Sequence, residues 1–220
     1  MLPHPPDTMN GRISFKTLLV LGILTLAISI SRLVYELESS KYTGGGGDQF
    51  WLGITWLPPI LGLWFGWKLA GAGIRPRSGK MMFVCALLAI AVNAGAGMYF
   101  GSLVKDGKAD IQTMFQAIMG AMIFGAVLML ATWPRLAAAL FTYGLLARIP
   151  VVAITWLCLE KGWDTHYVKF GPPEHAMHPA STAEAMELTA MAQFGLWVPY
   201  TIVSGTITGA IAAMLRRRPS

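Results

Sequence analysis

Acidic residues are scarce in this chain: Asp and Glu together number 11 in 220 residues, and all charged residues make up 13%. An ordinary soluble domain carries about 25%. With 55% apolar residues, this chain has too little charge to stay dissolved as a globule. Cysteine is nearly absent, with only Cys85 and Cys158. The span assignment below places them near opposite membrane faces, too far apart for a disulfide, so both are expected to be small apolar packing residues. The motifs of familiar chemistries are missing too. There is no Ser-His-Asp arrangement, phosphate loop, dinucleotide fingerprint or Cys-x-x-Cys, and each of these needs its residues at a set spacing. The sequence therefore leans away from an enzyme, and no cofactor is expected.

What the chain does have is apolar residues in long blocks rather than in one-sided stripes. The blocks cover about 17–34, 50–73, 81–104, 111–133, 136–159 and 188–215. Each is near the ~20 residues that cross a ~30 Å hydrocarbon core. The fold class predicted is all-α, an integral membrane bundle of six transmembrane helices forming one domain over 12–220. Residues 1–11 are proline-rich and read as a disordered cytoplasmic tail. The first span follows Arg12 and Lys16. Its run from Leu18 to Val34 is long for a cleaved signal and lacks a clean small-x-small cleavage site before Arg32, so it reads as a signal anchor. Gly44-Gly45-Gly46-Gly47 should be a flexible loop, and Pro58-Pro59 should kink or break the second span. The longest loop, 160–187, lies outside.

The net charge is +6. Its basic residues sit at the ends of apolar blocks, which reads as a topology signal rather than as a nucleic-acid face. One side collects Arg12, Lys16, Arg75, Arg77, Lys80, Arg135, Arg216, Arg217 and Arg218, and the other Arg32, Lys41, Lys105, Lys108, Lys161 and Lys169. The first set is larger, so both termini are expected in the cytoplasm. Trp51, Trp67, Trp133 and Trp156 fall where interfacial belt tryptophans belong. Small residues recur every fourth position, as in Gly62/Gly66, Gly97/Gly101, Ala117/Ala121/Gly125 and Thr201/Gly205/Gly209/Ala213. Such faces let helix backbones approach closely in lipid. Packing within the bundle is the plainer use, and a homo-oligomer or membrane-partner contact through Gly205 and Gly209 is the sharper one.

Arg148 is the most informative residue. It lies mid-span, beyond easy snorkelling, and a buried guanidinium keeps its proton and must find partners. By these boundaries no span contains Asp or Glu, which argues against proton- or cation-coupled transport. Pro150 frees the Leu146 carbonyl, so the loosened backbone of the same helix is one candidate partner. Asn93 is level with Arg148, and Tyr99, Gln116 and Gln193 lie in the outer thirds of their spans. Together these five are predicted to line a polar cavity for a polar or anionic ligand or a lipid headgroup, against the plainer reading of Arg148 and Asn93 as a structural polar knot. In the outer loop, His166, Glu174, His175 and His178 are a weak candidate metal set. Pro172, Pro173 and Pro179 make a helical zincin motif there improbable.

Two stretches, Tyr143-Gly144-Leu145-Leu146-Ala147-Arg148-Ile149-Pro150-Val151 and Gly162-Trp163-Asp164-Thr165-His166-Tyr167, resemble a family of uncharacterised multi-spanning bacterial membrane proteins. The resemblance covers the fifth span and the start of the outer loop. It implies a bacterial plasma membrane and carries no activity with it. Three function classes follow: a binding or transport component for a small polar or anionic molecule, a structural or assembly subunit of a membrane complex, and a membrane-embedded metal protein or enzyme using the outer-loop histidines.

Overall fold

The structure, a computed structural model, describes residues 13–39, 53–171 and 176–216. The expected tail 1–11, the Gly44–Gly47 loop, Trp51, Glu174 and His175 lie outside them. The described chain is helical: α1 Phe15–Ser39, α2 Leu57–Gly71, α3 Gly79–Lys105, α4 Ile111–Thr132, α5 Pro134–Lys161, α6 Thr182–Ala190 and α7 Val198–Leu215. A π-helical segment, Met191–Trp197, joins α6 to α7, making one continuous 34-residue rod, Thr182–Leu215. Among the described residues, five helices are long and apolar enough to cross a membrane: α1, α3, α4, α5 and the α6–α7 rod. The outward faces of α1 and α3 carry large apolar side chains such as Ile23, Phe83, Val84 and Met98. In water such faces would be a liability; in hydrocarbon they are the expected surface.

Local chemistry sets the helix ends. Ser78 and Asp110 cap α3 and α4 by accepting from the amides of Met81 (3.3 Å) and Thr113 (2.6 Å), which satisfies donors that no helical carbonyl can reach. That backbone hydrogen bond also holds the Asp110 carboxyl below its usual range. Gly162 ends α5 with φ +63°, a left-handed conformation that glycine adopts without Cβ strain. Ser181 caps α6 through Glu184 N, and Glu184 reaches back to Ala180 N.

Three expectations are corrected. The second helix does not run 50–73 with a central kink; it begins at Leu57, with its prolines in the first turn, where a missing N–H costs nothing. At 15 residues it falls short of the other five. The fifth helix, expected over 136–159, does run through Pro150. The first helix does not stop at Val34 but continues to Ser39, so Glu36 is a buried carboxylate inside a span-length helix. The statement that no span holds an acid therefore fails, and with it the argument against coupled transport. Trp133 is 1% exposed at the α4–α5 corner, so it is a core residue rather than a belt residue, whereas Trp67 and Trp156 are exposed.

The core centres on α7, which touches α2, α3, α4 and α5. Its closest partner is α2. A Cβ on Gly62 would strike the backbone of Gly205, and one on Gly66 the backbone of Gly209. The backbones therefore touch as small-residue membrane interfaces allow. Thr208 Oγ1 donates to the Pro59 carbonyl across this seam at 2.8 Å. Two arginines close its far end: Arg75 donates to the carbonyls of Ala213 and Arg216 (both 2.7 Å), and Arg216 to that of Trp67 (2.8 Å). Each cation meets main-chain carbonyls near the C-terminal end of a helix, where positive charge is favoured. Gly205 and Gly209, the residues expected to meet another chain, are thus taken up by α2 and by Leu140 and Leu136 of α5.

Candidate ligand-binding cavity

α5 carries Arg148 at the midpoint of its length. The side chain is 5% exposed and faces the π-helical segment. That segment follows from the sequence: Pro199 has no N–H to donate, and a π turn, closed by Val198 N–H to the Gln193 carbonyl, widens the helix just before it. The widened turn presents two side chains to Arg148. Gln193 Oε1 accepts from Nη1 at 3.4 Å, and the Trp197 ring lies 5.0 Å from the guanidinium carbon, a cation–π distance. Nε has no partner. The loosened backbone below Pro150 is not what Arg148 uses.

Around the guanidinium is a cavity of about 290 Å³. Arg148, Val151 and Thr155 of α5 form one wall, and Thr189, Gln193 and Trp197 of the α6–α7 rod form another. Ser29 and Arg32 of α1, residues 53–55, Phe115 of α4 and the turn 166–171 complete it. Lys169, at the rim, is partly exposed and paired with Asp164.

Next to the cavity is a second polar cluster. Arg32 Nε donates to Glu36 Oε1 at 2.9 Å, with both side chains 7% exposed. Glu36 also accepts from the His166 amide (3.0 Å) and meets His166 Nδ1 at 2.8 Å. One carboxylate therefore clamps the short 3-10 turn His166–Val168 to α1. Tyr167 OH donates to the Ser29 carbonyl at 3.0 Å. Burial pushes the His166 imidazole below its usual value, with the Glu36 carboxylate pulling the other way; the ring is thus neutral near pH 7, with Nδ1–H donating to Glu36. Burial pushes the Tyr167 phenol up.

Of the five residues expected at a ligand site, the structure brings two together, Arg148 and Gln193. Asn93 faces α4 instead, donating to the carbonyls of Ala89 (2.9 Å) and Ala121 (3.3 Å). Tyr99 is exposed and packs edge-on against Phe100. Gln116 is also exposed, and its neighbour Phe115 lines the cavity in its place. The candidate metal ligands separate: His166 lies in the Arg148 cavity and His178 in a different one beside Glu184 and Glu187. Among the described residues no three His, Cys, Asp or Glu side chains come together. Sequence reasoning missed Arg32, Glu36, Tyr167 and Trp197. The signal for the first two was present, since Arg32 and Glu36 are four apart and share a helix face.

No family model, curated protein or solved structure matches the chain.

Proposed function

We propose that the chain is a membrane binding or transport component for a small polar or anionic molecule, held in the outer-half cavity at Arg148. The observation that carries this is a buried, permanently charged guanidinium lining a cavity with its Nε unpaired. A structural arginine would be expected to satisfy its donors, because an unpaired buried polar group costs about 1–3 kcal/mol and more when charged. The Gly-rich faces, the basis for an assembly role, are used at least in part within the chain.

The proposal includes six crossings, with α2 as the sixth. Gly22 of α1 packs on Leu146 of α5, and Glu36 beyond it meets His166 beyond the end of α5, so α1 and α5 are parallel. α3 and α4 form an antiparallel pair, with Met82 at Thr132 and Asn93 at Ala121. A parallel α1 and α5 with this hairpin between them need a return crossing, and α2 lies in that position, parallel to α7. Both termini then fall on one side, which the basic residues assign to the cytoplasm of a bacterial plasma membrane.

The test is thermal unfolding of nanodisc-embedded protein against a panel of small anions and neutral polar solutes. At least one should raise the midpoint of the wild type and leave Arg148→Gln unmoved. A panel that shifts both proteins equally, or neither, would remove the reading.

A further inference from the structure

The proposed ligand is only described so far as small and polar or anionic. The charge balance of the cavity narrows it, and this step rests on the reading above. Three cations line the wall: Arg32, Lys169 and Arg148. Arg32 is paired with Glu36 and Lys169 with Asp164. His166 is held on Glu36 and contributes no further charge when neutral. Arg148 has no carboxylate within ion-pair reach among the described residues, so the cavity carries one uncompensated positive charge.

The donor geometry is as specific. Nη1 donates to Gln193, and the guanidinium carbon lies over the Trp197 ring. Nε is buried and without a hydrogen bond, and among the described residues the Gln193 bond is the one hydrogen bond the side chain makes. A guanidinium with most of its donors unused suits a planar carboxylate, which accepts from its fork of N–H groups. Apolar side chains such as Ile54, Phe115, Val151 and Leu196 give most of the remaining surface, with hydroxyls of Ser29 and three threonines between them. At about 290 Å³ the space is at the low end for small-molecule sites, which run from ~300 to ~1,000 Å³.

We infer that the cavity binds a monocarboxylate with a small apolar body, its carboxylate paired with the Arg148 guanidinium and its body against Phe115, Val151 and Leu196. A phosphate or dicarboxylate would bring a second negative charge that no unpaired cation balances, and burying an unbalanced charge is costly. A neutral sugar would leave the guanidinium uncompensated and most of the wall without a hydrogen-bonding role. The acid can come from the aqueous side or from the bilayer as a free fatty acid; the chemistry at Arg148 is the same.

The experiment is calorimetric titration of the full chain in nanodiscs with hexanoate, benzoate, hexanamide and inorganic phosphate, with oleate incorporated in a parallel nanodisc series. Hexanoate or benzoate should bind, and hexanamide and phosphate should bind at least tenfold more weakly. Competition by oleate would point to the bilayer as the source, and its absence to the aqueous side. Arg148→Lys keeps the charge and the fold but loses the fork, and it should weaken carboxylate binding at least tenfold. Phosphate binding in preference to the carboxylates, or carboxylate binding unchanged in Arg148→Lys, overturns the inference and leaves the broader reading intact. Silence of every probe here, together with no response in the wider solute panel, overturns both.

Discussion

The α2–α7 seam and the Arg148 cavity meet one face of α5 at different heights, the seam at Leu136 and Leu140 and the cavity at Arg148, and are built on opposite terms. At the seam, glycine backbones touch, Thr208 satisfies a carbonyl, and Arg75 and Arg216 close the helix ends on main-chain oxygens. In the cavity, a helix is widened by a π turn, space is kept open, and a charge is left with most of its donors unused. Both regions contain arginines, and the contrast lies in what they meet. Arg75 and Arg216 work at helix ends that need cations. Arg148 is held away from such ends, so its charge is available to something else.

The comparison breaks most visibly at the seam. Gly62→Leu puts a side chain where the Gly205 backbone already lies, and overpacking of an interior costs about 1–3 kcal/mol even where neighbours can give; here they are backbone. The variant should fail to yield monodisperse protein in detergent, while Gly97→Leu, with nothing within 4 Å of its Cβ position, should purify normally. Next in size is Glu36→Ala. It removes the shared acceptor of Arg32 and His166, and breaking a buried ion pair costs about 3–5 kcal/mol; the unfolding midpoint should fall and the turn at 166–168 should become protease-sensitive.

The smallest effect is a pH dependence. His166, faced by Glu36 and Arg32 of α1, has its folded value depressed. The unfolded chain therefore takes up a proton first as pH falls. The stability from neutral His166 is full above its ordinary value near ~6.5 and is lost as pH drops through that value towards the folded one. Unfolding midpoints at about pH 7.5 and about pH 5.5 should separate more in wild type than in His166→Asn; equal separation would assign the dependence to other groups.

Legibility in the sequence followed the length of the signal. Span-length apolar blocks gave α1, α3, α4, α5 and the last helix, because burial in hydrocarbon needs only composition over ~20 residues. Their boundaries were less visible. The reading stopped the first helix at Val34 because Glu36 looked like loop, yet an i, i+4 arginine and a distant histidine make that carboxylate tolerable inside a helix. Pro58-Pro59 was read as a mid-helix break because its place in the first turn depends on where the helix starts. Within the cavity, Arg148 was legible as a charge with no local mate, and Gln193 as a polar residue near its depth. Asn93 at the same depth faces α4 instead, since depth along a span says nothing of azimuth. The π turn that brings in Trp197 needs three-dimensional context.

The most direct measurement of the central claim, that Arg148 is kept charged and under-partnered for a ligand, is the ligand-free stability of Arg148→Met in nanodiscs. A buried donor without a partner costs about 1–3 kcal/mol, and more when charged, and an apolar side chain of similar volume removes that cost. The account expects an unfolding midpoint equal to or above that of wild type, with carboxylate binding lost. A midpoint several degrees lower would mean that Arg148 holds the bundle together, and would contradict it.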